Sequence, residues 1–108
     1  MSNSDPKPSY DLAEIQRLVV AGLFRIELIA LNGAGELYFD RYDIRDCVVA
    51  LCNADFYKTM AAEQRPGLFH DVYRPTYGGM AIYCKLQLME TREGQRAVII
   101  SFKKDLSR

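Results

Sequence analysis

The sequence predicts an α+β domain in which N-terminal helices pack on one face of a small C-terminal antiparallel sheet. Three observations carry this reading. Apolar residues recur at helical spacing through about Leu51, side chains alternate at strand spacing from Met80 onward, and only short turn-forming links join the later segments. A length of 108 residues suits one core, with residues 1–9 as a flexible, polar, Pro-containing lead-in and 10–108 as a single domain.

Asp11 and Glu14 stand at capping-box spacing, Leu12, Ile15, Leu18 and Val19 follow on one helical face, and Gly22 is a suitable stop. This predicts a helix near 11–21. Leu23–Ile26 reads as a short extended link, and Glu27–Leu31 as helical until Asn32-Gly33-Ala34-Gly35 interrupts it. Ile44, Cys47, Val48 and Leu51 share a further helical face, with Asp40 or Asp43 as its cap, and Asn53 caps one more turn through Phe56. Phe69–Arg74 is rich in strand formers. From Met80 to Glu90, Ile82, Cys84, Leu86 and Leu88 alternate with Tyr83, Lys85, Gln87 and Met89. The Thr91–Gln95 turn then returns the chain through Arg96–Lys103 as an antiparallel hairpin, with Val98, Ile100 and Phe102 on one face and Ser101 and Lys103 on the other. The link Pro75–Gly79 is too short for a crossover, so the strands it joins are antiparallel as well.

Composition narrows the function classes. At 49% hydrophobic and 26% charged residues the chain is neither disordered nor a coiled coil. The absence of a secretory leader or a membrane-length apolar run predicts a cytoplasmic protein with no membrane partner. Cys47, Cys52 and Cys84 form no metal-ligand spacing and read as reduced thiols, most of them packed as small hydrophobes. Phosphate-loop, nucleophile-elbow and zinc-helix motifs are missing, so neither a metal nor another cofactor is expected. Formal net charge is zero, but it is divided: five basic against eight acidic residues through Ala54, a net of −3, and nine against six from Asp55, a net of +3. A polyanion is therefore drawn to the C-terminal half if its cations share a face.

That half holds Lys58, His70, Tyr73, Arg74, Tyr83, Lys85, Lys103 and Lys104. A sheet face bearing a tyrosine and several cations suits RNA, because the ring stacks on a base and the cations neutralise phosphate. The same pattern also suits an ordinary solvated sheet face. His70, the sole histidine, titrates near neutral pH and is the candidate acid or base.

Longer stretches decide between these readings. Leu51-Cys-Asn-Ala-Asp-Phe-Tyr-Lys-Thr-Met60 resembles the L(x)3DFYK(x)M signature of the MqsR family of toxins, and Asp71-Val-Tyr-Arg-Pro75 resembles its DVYRP. Ile15–Gly22 matches the family's opening helix, and Tyr83-Cys-Lys85 and Ile100-Ser-Phe-Lys103 resemble its last two strands. The likeness runs in order from about Tyr10 to Lys104. It implies a RelE-like fold and the toxin of a bacterial type II toxin–antitoxin system. It further implies a metal-independent endoribonuclease that cuts mRNA at GC-containing sites and is neutralised by a cognate MqsA-type antitoxin. The catalytic positions implied are Lys58, His70, Tyr83 and Lys103, with Tyr73, Arg74, Lys85 and Lys104 as further RNA contacts. Two features depart from the family pattern: His70 stands where the best-known member has Gln, and net charge is near neutral where such toxins are commonly basic. A non-catalytic antitoxin-binding or RNA-binding module of the same fold is the alternative.

Overall fold

The computed structural model describes residues 7–108, so residues 1–6 of the expected lead-in lie outside the described residues. Helix α1 (Leu12–Val20) opens on Asp11, whose side chain accepts a hydrogen bond from the Ala13 N–H at 3.1 Å, and it closes at Gly22, where φ is +79°. Strand β1 (Phe24–Ile26) forms from the stretch expected as a link. Helix α2 (Leu28–Gly35) runs through the glycines that were expected to interrupt it. Gly33 is the reason. A Cβ there would lie 2.1 Å from the Phe102 carbonyl oxygen, so this helix approaches the sheet more closely than any side chain allows. Helix α3 (Arg41–Ala50) is capped by a full capping box between Asp40 and Asp43. Gln16 of α1 donates to the carbonyls of Val48, Val49 and Leu51 at 2.8–3.1 Å, satisfying groups that the end of α3 leaves open.

A 3₁₀ turn (Asn53–Asp55) leads into β2 (Phe56–Ala61), followed by β3 (Phe69–Tyr73), the two-residue β4 (Thr76–Tyr77), β5 (Met80–Thr91) and β6 (Gly94–Lys104). The sheet order is β1-β6-β5-β3-β2, with β4 paired to β5. All pairings are antiparallel except β1 with β6, a parallel contact at the edge. The α+β class holds, with helices preceding most of the sheet in the chain.

The helices cover one sheet face only. Leu12, Ile15, Leu18 and Val19 of α1 and Ile44, Cys47 and Val48 of α3 pack on Tyr73, Ile82, Cys84, Leu86, Ala97, Ile99 and Phe102. Each such large side chain contributes about 1.5–3 kcal/mol on burial, which holds the sheet flat against the helices and leaves its far face open. A β-bulge sets what that far face carries. Lys85 pairs with Ser101 but Leu86 pairs with Ile99, so Ile100 is an extra residue. The bulge breaks the expected grouping of Val98, Ile100 and Phe102: Phe102 enters the core, while Val98 and Ile100 face the open side. Among the described residues no helix is long and apolar enough to cross a membrane.

Candidate active site

The open face is a lattice of cross-strand neighbours. One row runs Lys58, Val72, Lys85 and Ser101 across β2, β3, β5 and β6. The next row toward the 62–68 loop starts with Met60 paired to His70 and continues through Gln87, Val98 and Arg25. On the other side of Lys85, Tyr83 pairs with Lys103, whose Nζ lies 5.2 Å from the tyrosine ring centroid. Strand spacing of about 4.8 Å puts Lys58 and Lys85 roughly 10 Å apart at the backbone, within joint reach of one phosphodiester group for two flexible lysines. The structure thus brings Lys58, His70, Tyr83, Lys85 and Lys103 onto one face.

His70 is half-buried. Burial lowers its pKa below the ordinary 6.5, the Lys85 cation lowers it further, and a hydrogen bond with Gln87 and the charge of Asp71 oppose the shift. The imidazole is therefore held neutral near pH 7, the form that accepts a proton. Its place is fixed from beneath. The buried Asp71 carboxylate accepts the backbone N–H groups of Ser9 (3.0 Å) and Tyr10 (2.8 Å), and the Phe69 N–H donates to the Tyr10 hydroxyl at 3.1 Å. The end of the expected lead-in is thereby tied to β3.

The remaining expected RNA contacts lie elsewhere. Tyr73 is a correction: it is fully buried on the helix side, edge-on to Phe56 at 5.6 Å, and its hydroxyl has no partner among the described residues. Strand alternation places it opposite His70 and Val72 in facing. Lys104 pairs with Ile82 and so belongs to the helix side, away from Lys103. Arg74 is engaged structurally, its Nε donating to Asp105 at 2.7 Å and its Nη2 to Ser107 at 2.8 Å, with the guanidinium 4.4 Å from the Tyr57 ring centroid. Asp105 also accepts from Ser107 and Arg108, and together these donors hold its carboxyl well below the usual carboxylate range. Arg74 therefore anchors the C-terminal tail.

Sequence reasoning missed the groove beside His70. It measures about 390 Å³ and is lined by Arg25, Met60, Arg65, His70, Gln87 and Ile100, among others. Only recognition of β1 as a strand beside β6 would have brought Arg25 here, and nothing local in Phe24-Arg25-Ile26 signals that parallel pairing. The cysteines carry no chemistry on this face: Cys47 and Cys84 are buried on the helix side, with the Cys47 thiol pushed up to about 12 by desolvation.

Two comparisons bear on this arrangement. A family model described as the motility quorum-sensing regulator, toxin of MqsA, matches residues 7–104. The chain is also 31% identical over 96 residues to the mRNA interferase toxin MqsR of Escherichia coli (strain K12), an alignment covering 89% of this chain and 93% of that relative.

Proposed function

The chain belongs to the MqsR toxin family, and from that premise we propose that it is a metal-independent endoribonuclease that cuts mRNA at GC-containing sites and halts translation. We infer an MqsA-type antitoxin as its cognate partner. The observation that carries the reading is the gathering of three lysines, a tyrosine and a neutral histidine on the sheet face opposite the helices.

Metal-free RNA cleavage needs a base for the ribose 2′-OH, an acid for the leaving 5′-oxygen, and cations around the pentacoordinate phosphorane. Lys85 lies between His70 on one side and the Tyr83–Lys103 pair on the other, so a phosphodiester seated over Lys85 has its base and its acid on opposite sides, as in-line displacement requires. His70 takes the 2′-OH proton as the 2′-oxygen bonds to phosphorus. The bond from phosphorus to the 5′-oxygen breaks, Lys103 protonates that oxygen, and the products are a 2′,3′-cyclic phosphate and a free 5′-OH. Lys58 and Lys85 neutralise the equatorial oxygens, and the Tyr83 hydroxyl donates to one of them.

The test is incubation of the purified protein with a defined mRNA in EDTA, with the new 5′ ends mapped. Discrete GC-containing cuts bearing 5′-OH ends, lost in Lys58→Ala and Tyr83→Phe, are expected. Intact RNA from a folded protein refutes the nuclease reading in favour of a non-catalytic module. Cutting that survives both substitutions refutes this placement of the site.

A further inference from the structure

Arg25 sits in the middle of β1, opposite Val98 of β6, and its neighbours Phe24 and Ile26 pack against the core, so its side chain stands on the open face. Its Nε donates to Glu27 Oε2 at 2.9 Å, while Nη1 and Nη2 have no partner among the described residues. Glu27 is itself fixed, because its backbone N–H donates to the Ile99 carbonyl at 3.0 Å. The carboxylate thus clamps the guanidinium by one edge and leaves the two-pronged edge free. Arg25 lines the same groove as His70, Met60, Glu63 and Ile100.

From these observations we propose that the groove beside His70 holds one nucleobase of the bound RNA and that Arg25 reads it as guanine. Met60 and Ile100 in the lining offer apolar surface to the flat face of a base, and a fork of parallel N–H donors matches the O6 and N7 acceptors of guanine, which no other base presents together. Three strand spacings of about 4.8 Å separate His70 from Arg25, so a base held between them lies roughly one or two nucleotides from a phosphate at Lys85. Arg25 is a specificity residue; it performs no proton transfer. The inference rests on the endoribonuclease reading for its substrate, and binding tests it independently of cutting.

The probe is a short, fully 2′-O-methylated RNA, which lacks the attacking hydroxyl, made either with guanine or with 7-deazaguanine, which lacks N7. Fluorescence anisotropy is expected to show the native chain preferring guanine by roughly 2- to 12-fold, the worth of the one hydrogen bond that loss of N7 removes while O6 remains. Arg25→Ala is expected to bind both probes alike, and so is Arg25→Lys, which keeps the charge without the fork. Arg25 is largely exposed, with 55% of its side-chain surface accessible, so these variants fold. Equal binding of both probes by the native chain overturns the proposal. So does an equal loss on both probes in Arg25→Ala, which makes the residue a phosphate contact. A native chain that discriminates guanine yet cuts no unmodified mRNA refutes the nuclease reading and keeps the base reader. Cutting with an unchanged site pattern in Arg25→Ala does the reverse.

Discussion

Two glycines in one helix give opposite expectations for the same substitution. At Gly33 an added Cβ would lie 2.1 Å from the Phe102 carbonyl oxygen, 3.2 Å from its carbon and 3.3 Å from Lys103 Cβ, whereas at Gly35 it meets nothing within 4 Å. The obstacle at Gly33 is backbone, so no rotamer relieves it, and α2 has to lift from β6 by about an ångström. Lifting loosens Ala30 and Ala34, both fully buried. Overpacking of this kind costs about 1–3 kcal/mol, and the upper end applies because an edge strand must move with the helix. Alanine recovers about 1 kcal/mol in helix propensity at either position. Gly33→Ala is therefore expected to lose about 1–2 kcal/mol and Gly35→Ala to gain about 0.5–1 kcal/mol. With a slope of about 1–2 kcal/mol per molar urea, the two midpoints separate by roughly 1–2 M. Far-UV circular dichroism is the suitable signal, since the chain has no tryptophan. Gly33→Ala should also reduce RNA cleavage at temperatures where it stays folded, because Lys103 moves with Phe102. A Gly33→Ala variant as stable as the native chain would show that α2 does not seat on the β6 backbone and would refute the argument.

Three further outcomes follow from the same geometry. Asp105→Asn removes the charge that holds Arg74 and Arg108 and should cost about 2 kcal/mol, a fall in Tm of about 8 °C. Since the folded carboxyl is held below its ordinary 3.8, its stabilisation is complete above that pH, and thermal melts should show the gap between native and variant closing as pH falls beneath it. In pH profiles of kcat/KM, the acid limb should lie below the ordinary histidine value of 6.5 and move upward in Lys85→Met, which removes one cause of the lowered pKa; His70→Ala should lose about 10²–10⁴-fold. The sign for stability runs the same way, with protonation below pH 6.5 favouring the unfolded chain. Lys58→Ala should weaken RNA binding and flatten the dependence of log affinity on log salt by about 0.7, and an unchanged slope would remove Lys58 from the RNA path.

Helices α1 and α3 and the β5–β6 hairpin were legible because their caps, turn residues and apolar periods are local. Helix α2 read short because Asn32–Gly35 breaks propensity, and the compensation for Gly33 is a close approach that only the folded chain reveals. β1 is three residues long and β2 is interrupted by a bulge at Tyr57, so neither shows enough alternation to be recognised. Alternation misled at Ile100, where the second bulge turns Phe102 inward and leaves two apolar side chains on the open face. The site was legible to the extent that side-chain facing is. Tyr83 with Lys85 follows from a period of two, whereas Lys58 with Met60 needed the unrecognised β2. The same period separates Tyr73 from His70 and Lys104 from Lys103, and the family motifs, which run continuously along the chain, conceal that division.

The zero net charge looked unfavourable to RNA binding, and the structure removes the difficulty. The carboxylates are largely consumed where they stand. Asp11, Asp40 and Asp43 cap helices, Asp55 accepts the Cys52 N–H, and Asp71 receives the backbone of Ser9 and Tyr10. Asp105 binds two arginines, and Glu14, Glu27 and Asp46 each pair with a neighbouring arginine. None of these ion pairs includes Lys58, Lys85 or Lys103. A formal count weighs a capping aspartate and a free lysine equally, yet RNA meets one face of the molecule within a Debye length of about 8–10 Å. Over that distance the cations Lys58, Lys85 and Lys103 stand against Glu27 and Glu63 at the groove, and Glu27 is already paired with Arg25. The open sheet face thus holds Lys58, Lys85 and Lys103 outside every one of these ion pairs, a local concentration of cations for a polyanion that the formal sum does not show.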